Sequence, residues 1–385
     1  MNKYLSLILV LLIFFYSKAS YSQNTYEIID KSGIKYVNNK APLWGKNIRI
    51  NLELNKKIGD IDAEDKNFQF YKICGIVNDS KDNLYVLDSG NYRIQVFNKN
   101  GDYLSTIGRK GQGPGEFLNP SSIDCDNEDV ISVLDLSNLR IQRILPSGKY
   151  INMIKIVYIT TIFEHLSNNQ LVVSSNITSY KYSQKEKYLI TIIDNNGNNV
   201  RNFGEPLEFD DQMTFVLGNA ISGTIDNNDN LFITYLFNNR IEKYSSDGRL
   251  LFIANQPLNF NIPDKPKMWE FSKTKNGEII YMPNFTYVSI GIANDNKGRI
   301  WIMTFQKEKQ LHSSNNQSSL SKIQRSLLGF SIFNQEGVFL CNIQIPDSVI
   351  ANSMLTSTFQ INKDKLYLID TIKNMCIYEY NIIDK

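Results

Sequence analysis

Histidine is almost absent from this sequence: the 385 residues include only His165 and His312. A zinc site built on histidine needs about three of them in one coordination shell. The chain also lacks a Cys-x-x-Cys pair, a Walker loop and a Gly-x-Ser-x-Gly motif, which would indicate metal or redox, phosphate and acyl-transfer chemistry respectively. The sequence therefore predicts no His-ligated zinc centre, and no catalytic residues are assigned.

An excess of one charge is also missing. Lys and Arg number 41 and Asp and Glu number 39, and the first 22 residues contribute only Lys3 and Lys18. Nucleic-acid binders carry a basic footprint, so we expect no nucleic-acid partner. With only 10 Pro and 21 Gly, and 42% hydrophobic residues, the chain is neither collagen-like nor compositionally disordered and can bury a large core.

The one long apolar run lies at the N-terminus. Leu5 to Tyr16 is apolar except for Ser6, follows Lys3, and precedes small residues at positions 19, 20 and 22. Twelve residues are too few to span a bilayer, which needs about 20, so we interpret residues 1–22 as a secretory signal peptide. No cysteine precedes Cys74, which leaves no lipoprotein anchor. The sequence thus predicts an exported protein, periplasmic or extracellular, with no membrane span after cleavage.

The stretch from Cys74 to Tyr150 contains one pattern written twice, 47 residues apart. Identical residues fall on each other at Ile76 and Ile123, Asp79 and Asp126, Val86 and Val133, Asp88 and Asp135, Asn91 and Asn138, Arg93 and Arg140, and Gly101 and Gly148. Periods of 40–50 residues are typical of propeller blades with four strands each. Both faces of the second strand, Leu84–Leu87, are apolar, as expected where blades stack on both sides.

Weaker copies of the pattern continue to the end of the chain. The six copies have their first strands near Ile76, Ile123, Phe163, Thr224, Ile290 and Phe359. The sixth copy stops short of a fourth strand, and Ile48–Ile58 supplies a spare one. We therefore predict an all-β fold, a six-bladed β-propeller over residues 48–385 after an N-terminal extension at 23–47. We expect Ile48–Ile58 to pair with the last blade and close the ring, which also hides sheet edges.

A glycine-rich turn, Gly108-Arg-Lys-Gly-Gln-Gly-Pro-Gly-Glu-Phe117, follows the first repeat. Together with Asn83-Leu-Tyr-Val-Leu-Asp88 and Asn91-Tyr-Arg-Ile-Gln-Val-Phe97 it resembles NHL-repeat propellers, and more narrowly the exported six-bladed NHL-like propellers of bacteria. The resemblance implies a ring with a central channel. It implies no single activity, because such propellers include binding modules, lyases and lactonase-like enzymes.

The four cysteines, Cys74, Cys125, Cys341 and Cys376, could form disulfides in an exported protein, and four cysteines allow three pairings. Cys74 and Cys125 are offset by four positions along equivalent strands, about 13 Å, which is too far for a bridge. Buried free thiols are the favoured interpretation.

The motif Asn-x-Arg-Ile recurs in the turn between second and third strands, at Asn91, Asn138 and Asn238, and Cys376 replaces its Arg in the sixth copy. An aspartate precedes the Asn in three copies: Asp88, Asp135 and Asp370. A repeated device of this kind favours architecture, with each Asp and Asn bracing its own turn and each Arg pairing across blades. The aspartate-rich turns at Asp124–Asp129 and Asp226–Asn230 favour turn chemistry for the same reason.

Three insertions break the repeat, and a propeller places all of them on one face over blades three to five. They are the acidic loop Glu205–Asp211, the aromatic segment Pro263–Tyr287 and the polar segment Gln306–Ser326. Long loops on a rigid scaffold often carry binding, although packing as a lid explains them equally well. The binding candidates are Trp269, Tyr281, Tyr287, Asp210 and Asp211.

We therefore expect an exported module that binds a protein or a small polar ligand through this loop-rich face, without a cofactor. The alternative is a hydrolase or lyase resembling lactonases and esterases. In that case a divalent cation, with calcium as the candidate ion, would sit at the channel on Asp88, Asp135 and Asp370. A structural part of an envelope complex is a third possibility.

Overall fold

The computed structural model describes residues 25–156, 160–174, 188–273, 277, 279–309, 327–346, 359–370 and 374–385. The predicted signal peptide, most of the 306–326 insertion and His312 lie outside these residues. Among the described residues, no helix is both long and apolar enough to cross a membrane.

The described chain is a ring of six antiparallel sheets, as the repeat predicts. The N-terminal segment contributes β1 (Tyr26–Lys31), β2 (Ile34–Asn39) and β3 (Ile50–Ile58). Blade one consists of β4 (Ile73–Asn78), β5 (Leu84–Asp88), β6 (Arg93–Phe97) and β7 (Tyr103–Ile107). Blade two consists of β8 (Pro120–Cys125), β9 (Ile131–Asp135), β10 (Arg140–Ile144) and β11 (Tyr150–Lys155). Blade three consists of β12 (Phe163–His165), β13 (Leu171–Ser174), β14 (Ile190–Ile193) and β15 (Asn199–Phe203).

The second half of the ring carries the additional elements. A short helix, α1 (Gln212–Gly218), leads into blade four, which consists of β16 (Ile221–Ile225), β17 (Leu231–Tyr235), β18 (Ile241–Tyr244) and β19 (Leu250–Ala254). A separate hairpin of β20 (Lys267–Lys273) and β21 (Ile279–Asn284) follows. Blade five consists of β22 (Ser289–Asn294), β23 (Ile300–Phe305), β24 (Leu328–Phe333) and β25 (Phe339–Gln344). Blade six consists of β26 (Phe359–Asn362), β27 (Lys365–Asp370), β28 (Cys376–Asp384) and, from the other end of the chain, β3. Short 3-10 turns occur at Lys66–Phe68, Ser89–Asn91 and Leu136–Asn138.

The ring closes through the strand that the sequence marked as spare. β3 pairs antiparallel with β28 from Ile58 opposite Ile377 to Ile50 opposite Asp384, so the predicted pairing is present and the strand begins two residues later than expected. Ile58 is 2% exposed and packs with Phe70, Ile76 and Ile377. The outer strand of blade six is thereby fixed to the side of blade one, and the sheet edge of β28 is covered.

The N-terminal hairpin has a role that the sequence pattern does not reveal. β2 adds in parallel to β19, with Lys35 opposite Phe252 and Val37 opposite Ala254, which extends the sheet of blade four to six strands. Its last residue, Asn39, then bonds to both blade four and blade five.

The core lies between the blades, because the central strands are apolar on both faces. Leu84 to Leu87 and Ile131 to Leu134 are all buried, and one cluster joins Leu87 and Val133 across blades one and two. All four cysteines are free thiols, three of them buried and Cys125 partly buried. Small buried thiols are what the sequence favoured.

Candidate functional site

The central channel is walled by the first strand of every blade. It holds a cavity of about 270 Å³ whose lining includes Ile76, Asp124, Glu164, Thr224, Asn294 and Gln360. The first strand is the innermost strand of every blade. Residues from all six repeats therefore border this cavity. Titratable and amide side chains face it at the end where each first strand enters its hairpin turn, opposite to the loop-rich face.

Hydrogen bonds between neighbouring first strands tie this end of the channel together. Asp124 of blade two accepts the backbone N–H of His165 in blade three, at 2.7 Å. Glu164 of blade three accepts the backbone N–H of Ile225 in blade four, at 2.8 Å. The inner edge of a blade has no further strand to pair with, so in blades three and four a side chain of the preceding blade satisfies a backbone donor.

The side-chain amide of Asn294 in blade five bonds in the opposite direction, to a carbonyl group of blade four. Its Nδ2 donates to the carbonyl oxygen of Ile225 at 2.6 Å and contacts the Thr224 hydroxyl at 3.3 Å. Thr224 of blade four occupies the register position that Asp124 and Glu164 occupy in blades two and three. This position thus carries an acid in blades two and three and a neutral polar group in blade four.

Glu164 is the most perturbed acid of this ring. Its pKa is raised to about 8, mainly by burial and then by the neighbouring charge of Asp124, whereas the hydrogen bonds from the Ile225 N–H and the Thr224 hydroxyl lower it. A carboxyl with such a pKa is mostly protonated at neutral pH and loses its proton when the pH rises above about 8. Perturbed acids in clefts mark candidate functional sites.

A histidine stands beside this acid pair, in an arrangement that resembles a Ser–His–Asp triad. His165 Nδ1 lies 2.8 Å from Asp124 Oδ2, and His165 Nε2 lies 3.2 Å from Ser132 Oγ. Ser132 is 1% exposed, in the middle of the second strand of blade two, so no substrate carbonyl can approach its hydroxyl. The three groups therefore hold blades two and three together and orient Asp124, and they do not form a nucleophilic site.

The aspartates considered for a metal brace their own turns. Asp88 is fully buried and accepts hydrogen bonds from the backbone N–H groups of Tyr71 and Lys72, from Asn91 Nδ2 at 2.7 Å and from Arg93 Nε at 3.1 Å. Among the described residues, no group of three His, Cys, Asp or Glu side chains is placed to hold a metal ion. The architectural interpretation of the repeated motif is the one that this geometry supports.

The other two aspartates also accept a hydrogen bond from the Asn of their own turn. Asp135 accepts from the N–H groups of Leu118 and Asn119 and from Asn138 Nδ2. Asp370 is fully buried and accepts from Asn374 Nδ2 at 3.0 Å. Near it, Cys376 replaces the arginine, and burial raises the pKa of its thiol to about 11, so the thiol stays protonated at neutral pH.

The arginines of the motif do not pair across blades, and that expectation is wrong for Arg93 and Arg140. Each donates to the backbone of the connection that precedes its own blade. Arg93 Nη2 bonds to the carbonyl oxygen of Gln69 at 2.7 Å, and Arg140 bonds to those of Gln112, Gly113 and Glu116.

Two of the five predicted binding residues are structural. Tyr287 is 1% exposed, stacked on Phe305 with ring centres 5.2 Å apart and tilted against Phe237 at 5.0 Å. Asp211 caps α1, accepting the N–H of Thr214 at 2.9 Å. Tyr287 is too deeply buried to meet a ligand, whereas Asp211 is exposed and its carboxylate is engaged as a helix cap.

The other three lie on the surface. Tyr281 is 52% exposed on the β20–β21 hairpin, and Trp269 is partly buried on the same hairpin with Phe271 edge-on at 5.9 Å. Asp210 is exposed and pairs with Lys265 at 2.8 Å. The structure thus leaves an exposed aromatic hairpin and exposed acids, among them Asp210 and Asp211, on the loop-rich face, and separates them from Tyr287.

Sequence reasoning missed the acid pair of the channel, although a signal for it was present. Aligning the repeats on their first turn puts Asp124 and Glu164 at the same position, where the other copies have Val77, Thr224, Ala293 and Gln360. Two acids at one inner position of adjacent blades would have pointed to the channel.

A protein family described as a six-bladed β-propeller matches residues 66–318. The chain belongs to this family. Among curated proteins, none matches the sequence.

Solved structures with the same fold cover nearly the whole chain. A member of the DUF4221 family from Bacteroides vulgatus is 11% identical with a TM-score of 0.58, over 88% of this chain and 99% of that one. A candidate exported protein from Bacteroides fragilis is 14% identical with a TM-score of 0.54, over 88% and 96%. The PQQ-bound aldose sugar dehydrogenase of Streptomyces coelicolor is 11% identical with a TM-score of 0.50, over 89% and 100%. Identities this low establish the shared fold and nothing further.

Proposed function

We propose that this propeller is a binding protein that holds a small polar ligand in its central channel. The observation that carries the proposal is Glu164, an acid in the wall of the cavity whose pKa is raised to about 8. A convergent set of polar groups in a formed cavity, with a perturbed acid among them, is the usual character of a ligand site.

The chemistry of the cavity favours a neutral ligand with hydroxyl or amide groups. Protonated Glu164 donates a hydrogen bond, Asp124 accepts one, and Thr224 and Gln360 can do either. The cavity of about 270 Å³ suits a molecule smaller than a typical drug. Binding that uses the Glu164 proton weakens once the pH rises above about 8.

Export and kinship with NHL-like bacterial propellers belong to the same proposal. The run Leu5 to Tyr16 after Lys3 supports a secretory signal, and the motifs around Asn91 and the Gly108–Phe117 turn support the kinship. The protein would then meet its ligand in the periplasm or outside the cell.

The loop-rich face over blades three to five is proposed as the surface that a protein partner would contact. Trp269, Phe271 and Tyr281 give it an aromatic hairpin, and Phe209 and Phe285 pack edge-on at 6.2 Å beneath it. Aromatic groups on a rigid support are typical of interface hot spots. Asp210 is the polar candidate at its margin.

The channel proposal is tested with the purified protein and a panel of monosaccharides, polyols and acetylated amino-acid amides. We expect at least one class to raise the melting temperature at pH 7 and to lose most of that effect at pH 9.5. Glu164→Gln should weaken the response about tenfold. Glu205→Gln, which removes an exposed acid of the acidic loop, is the matched control and should leave it unchanged. A response that is equal in both variants would place the ligand elsewhere.

The second candidate function is an enzyme with its site in the same channel. An acid with a pKa of about 8 can serve as a general acid in a hydrolase or lyase. In the cation-dependent version, calcium would need Asp88, Asp135 and Asp370 to give up the hydrogen bonds that they accept in their own turns. Metal analysis separates the versions: one tightly held calcium per chain, removed by chelation with loss of turnover, would support the cation site. A metal-free protein that binds ligand without turning it over supports the binding function.

A further inference from the structure

Blade four departs from the turn device of blades one and two. Tyr235 stands where those blades have Asp88 and Asp135, and Glu242 stands where they have Gln95 and Gln142. Both glutamines donate to the incoming connection, Gln95 to the carbonyl oxygen of Asn67 and Gln142 to that of Glu116. In blade four the corresponding connection forms α1, and in the described residues Glu242 makes no hydrogen bond to it.

The arginine of blade four therefore has a different set of partners. Arg240 donates through Nε to Glu242 Oε1, and its side chain also interacts with the Tyr235 hydroxyl. No backbone carbonyl in the described part of the chain accepts a hydrogen bond from its two Nη groups. In Arg93 and Arg140 those same groups are the ones that hold the connection.

Glu242 is fully engaged behind Arg240. It is 1% exposed, and its Oε2 accepts from Tyr235 at 3.2 Å and from Tyr244 at 2.6 Å. Burial, and then the charge of Glu242, raise the pKa values of both tyrosines above their usual range, so their hydroxyls remain donors. Arg240 Nε and the hydroxyls of Tyr235 and Tyr244 all donate to Glu242. The Nη edge of the Arg240 guanidinium keeps N–H groups that can donate to a ligand.

A pocket of about 230 Å³ lies against Arg240. Its walls are β2 of the N-terminal hairpin (Tyr36, Val37, Asn38), the end of β19 (Ile253, Ala254, Asn255) and the turn residues Asn238 and Asn239. Within the described residues, the side-chain amide of Asn238 has no hydrogen-bond partner. The pocket thus combines an apolar wall with an amide and a guanidinium edge, and the hairpin that completes it is an addition to the propeller.

We propose that this pocket binds a carboxylate group, seated on the Nη edge of Arg240 with Asn238 as a second donor. The planar guanidinium fork matches a carboxylate with two parallel hydrogen bonds. Arg240 is the one cation among the described residues that line the pocket and is already paired with Glu242, so a ligand with a single negative charge suits the site better than one with two. The apolar wall accommodates a short side chain next to the carboxylate. Such a group is supplied by an N-acylated amino acid or by the C-terminus of a peptide.

Calorimetric titration of the full-length protein tests this with two matched pairs of probes. N-acetylleucine is compared with N-acetylleucine amide, and a pentapeptide ending in a free leucine with the same peptide amidated. We expect each acid to bind at least tenfold more tightly than its amide. Tighter binding of the free acid than of the peptide indicates a small-molecule site, and the reverse order indicates a peptide C-terminus. Equal binding of acids and amides would overturn the proposal.

Variants locate the site. Arg240→Gln combined with Glu242→Gln keeps the buried pair balanced and should abolish the preference for the acid. Arg240→Lys keeps the charge and the pairing with Glu242 and should weaken acid binding about tenfold, because the fork is lost. Arg249→Gln, at the opposite end of the same blade and exposed, removes the same charge and should bind like the wild type. Unchanged acid binding in both Arg240 variants would also overturn the proposal.

Discussion

Carboxyl groups stand at two kinds of position in these repeats, and their surroundings differ. Asp88 and Asp135, at the outer turn, are fully buried and each accepts several hydrogen bonds from backbone and amide donors. Glu164, at the channel, accepts one backbone N–H and faces another acid across the blade boundary. Donors stabilise a charged carboxylate, whereas burial beside a like charge disfavours it. The two positions therefore suit different roles, bracing at the turn and proton exchange at the channel.

The raised pKa of Glu164 predicts how stability depends on pH. The folded state keeps this proton up to about pH 8, whereas the unfolded chain loses it near the ordinary value of 4.5. Between these values the folded protein holds more protons than the unfolded one, so unfolding becomes easier as the pH rises from 5 to 9. Because Glu164 is partly open to the channel, we expect its contribution to be on the order of 2 kcal/mol.

Urea unfolding at pH 5 and pH 9 measures this contribution. Glu164→Gln should lose about 2 kcal/mol less stability over that range than the wild type, and Glu205→Gln should lose as much as the wild type. Parallel behaviour of wild type and Glu164→Gln would show that the acid is not perturbed.

At the scale of one element, β3 shows how a strand from the N-terminus stabilises the C-terminal blade. Its two ends are buried and its middle is exposed. Ile50 and Ile58 at its ends are 2% exposed, and Leu54 in its middle is 56% exposed. The burial of Ile58 against Phe70 and Ile377 joins blade six to blade one. The strand therefore contributes through its buried ends as well as through its ladder with β28.

Truncating the two kinds of residue on β3 should have unequal effects. Ile58→Ala should lower the free energy of unfolding by about 3 kcal/mol, because it leaves a cavity where the ring closes. Leu54→Ala, an equally large apolar residue on the same strand, should change it by less than about 0.5 kcal/mol. Denaturant titration checks both. A similar small loss for the two variants would mean that the closure contributes little to stability.

On the scale of the whole molecule, the N-terminal segment spans half of the ring. β2 extends blade four, the N–H of Leu43 bonds to the carbonyl oxygen of Phe339 in blade five, and β3 completes blade six. Asn39 is the junction: its Nδ2 donates to the carbonyl oxygens of Asn255 at 2.8 Å and Gly337 at 2.9 Å, and its Oδ1 accepts the N–H of Phe339 at 2.9 Å. One segment thus joins three blades that are otherwise linked through their own packing.

Removing the Asn39 amide should loosen blades four and five together. We expect Asn39→Ala to cost about 2–3 kcal/mol, because two buried backbone groups and one partly buried one lose their partner. Hydrogen exchange of the Phe339 amide should accelerate most. Asn38→Ala, the exposed neighbour, serves as the control and should leave both quantities near the wild type. Acceleration confined to blade four would show that the segment does not couple the two blades.

The sequence by itself was sufficient for the ring. A 47-residue period, turn residues at constant offsets and apolar central strands specify blades locally, and the missing fourth strand of the last copy pointed to β3. Asp79 and Asp226 hydrogen-bond the backbone within their own turns, which is a local property that residue type and spacing reveal. The hydrogen bonds that Asp88 and Asp135 accept from the Asn three residues on are local in the same way, whereas their backbone donors belong to the preceding connection.

Only the tertiary structure decided which residues meet between blades. Asp124, Glu164 and Thr224 come together because the ring brings equivalent positions of distant repeats side by side. Arg240 borders a pocket because a hairpin from the N-terminus docks about two hundred residues away in sequence. Tyr287 looked like a binding residue by type and lies in the core instead. Composition and spacing describe the neighbours along the chain, whereas burial, pKa and free donors depend on neighbours that only the closed ring supplies.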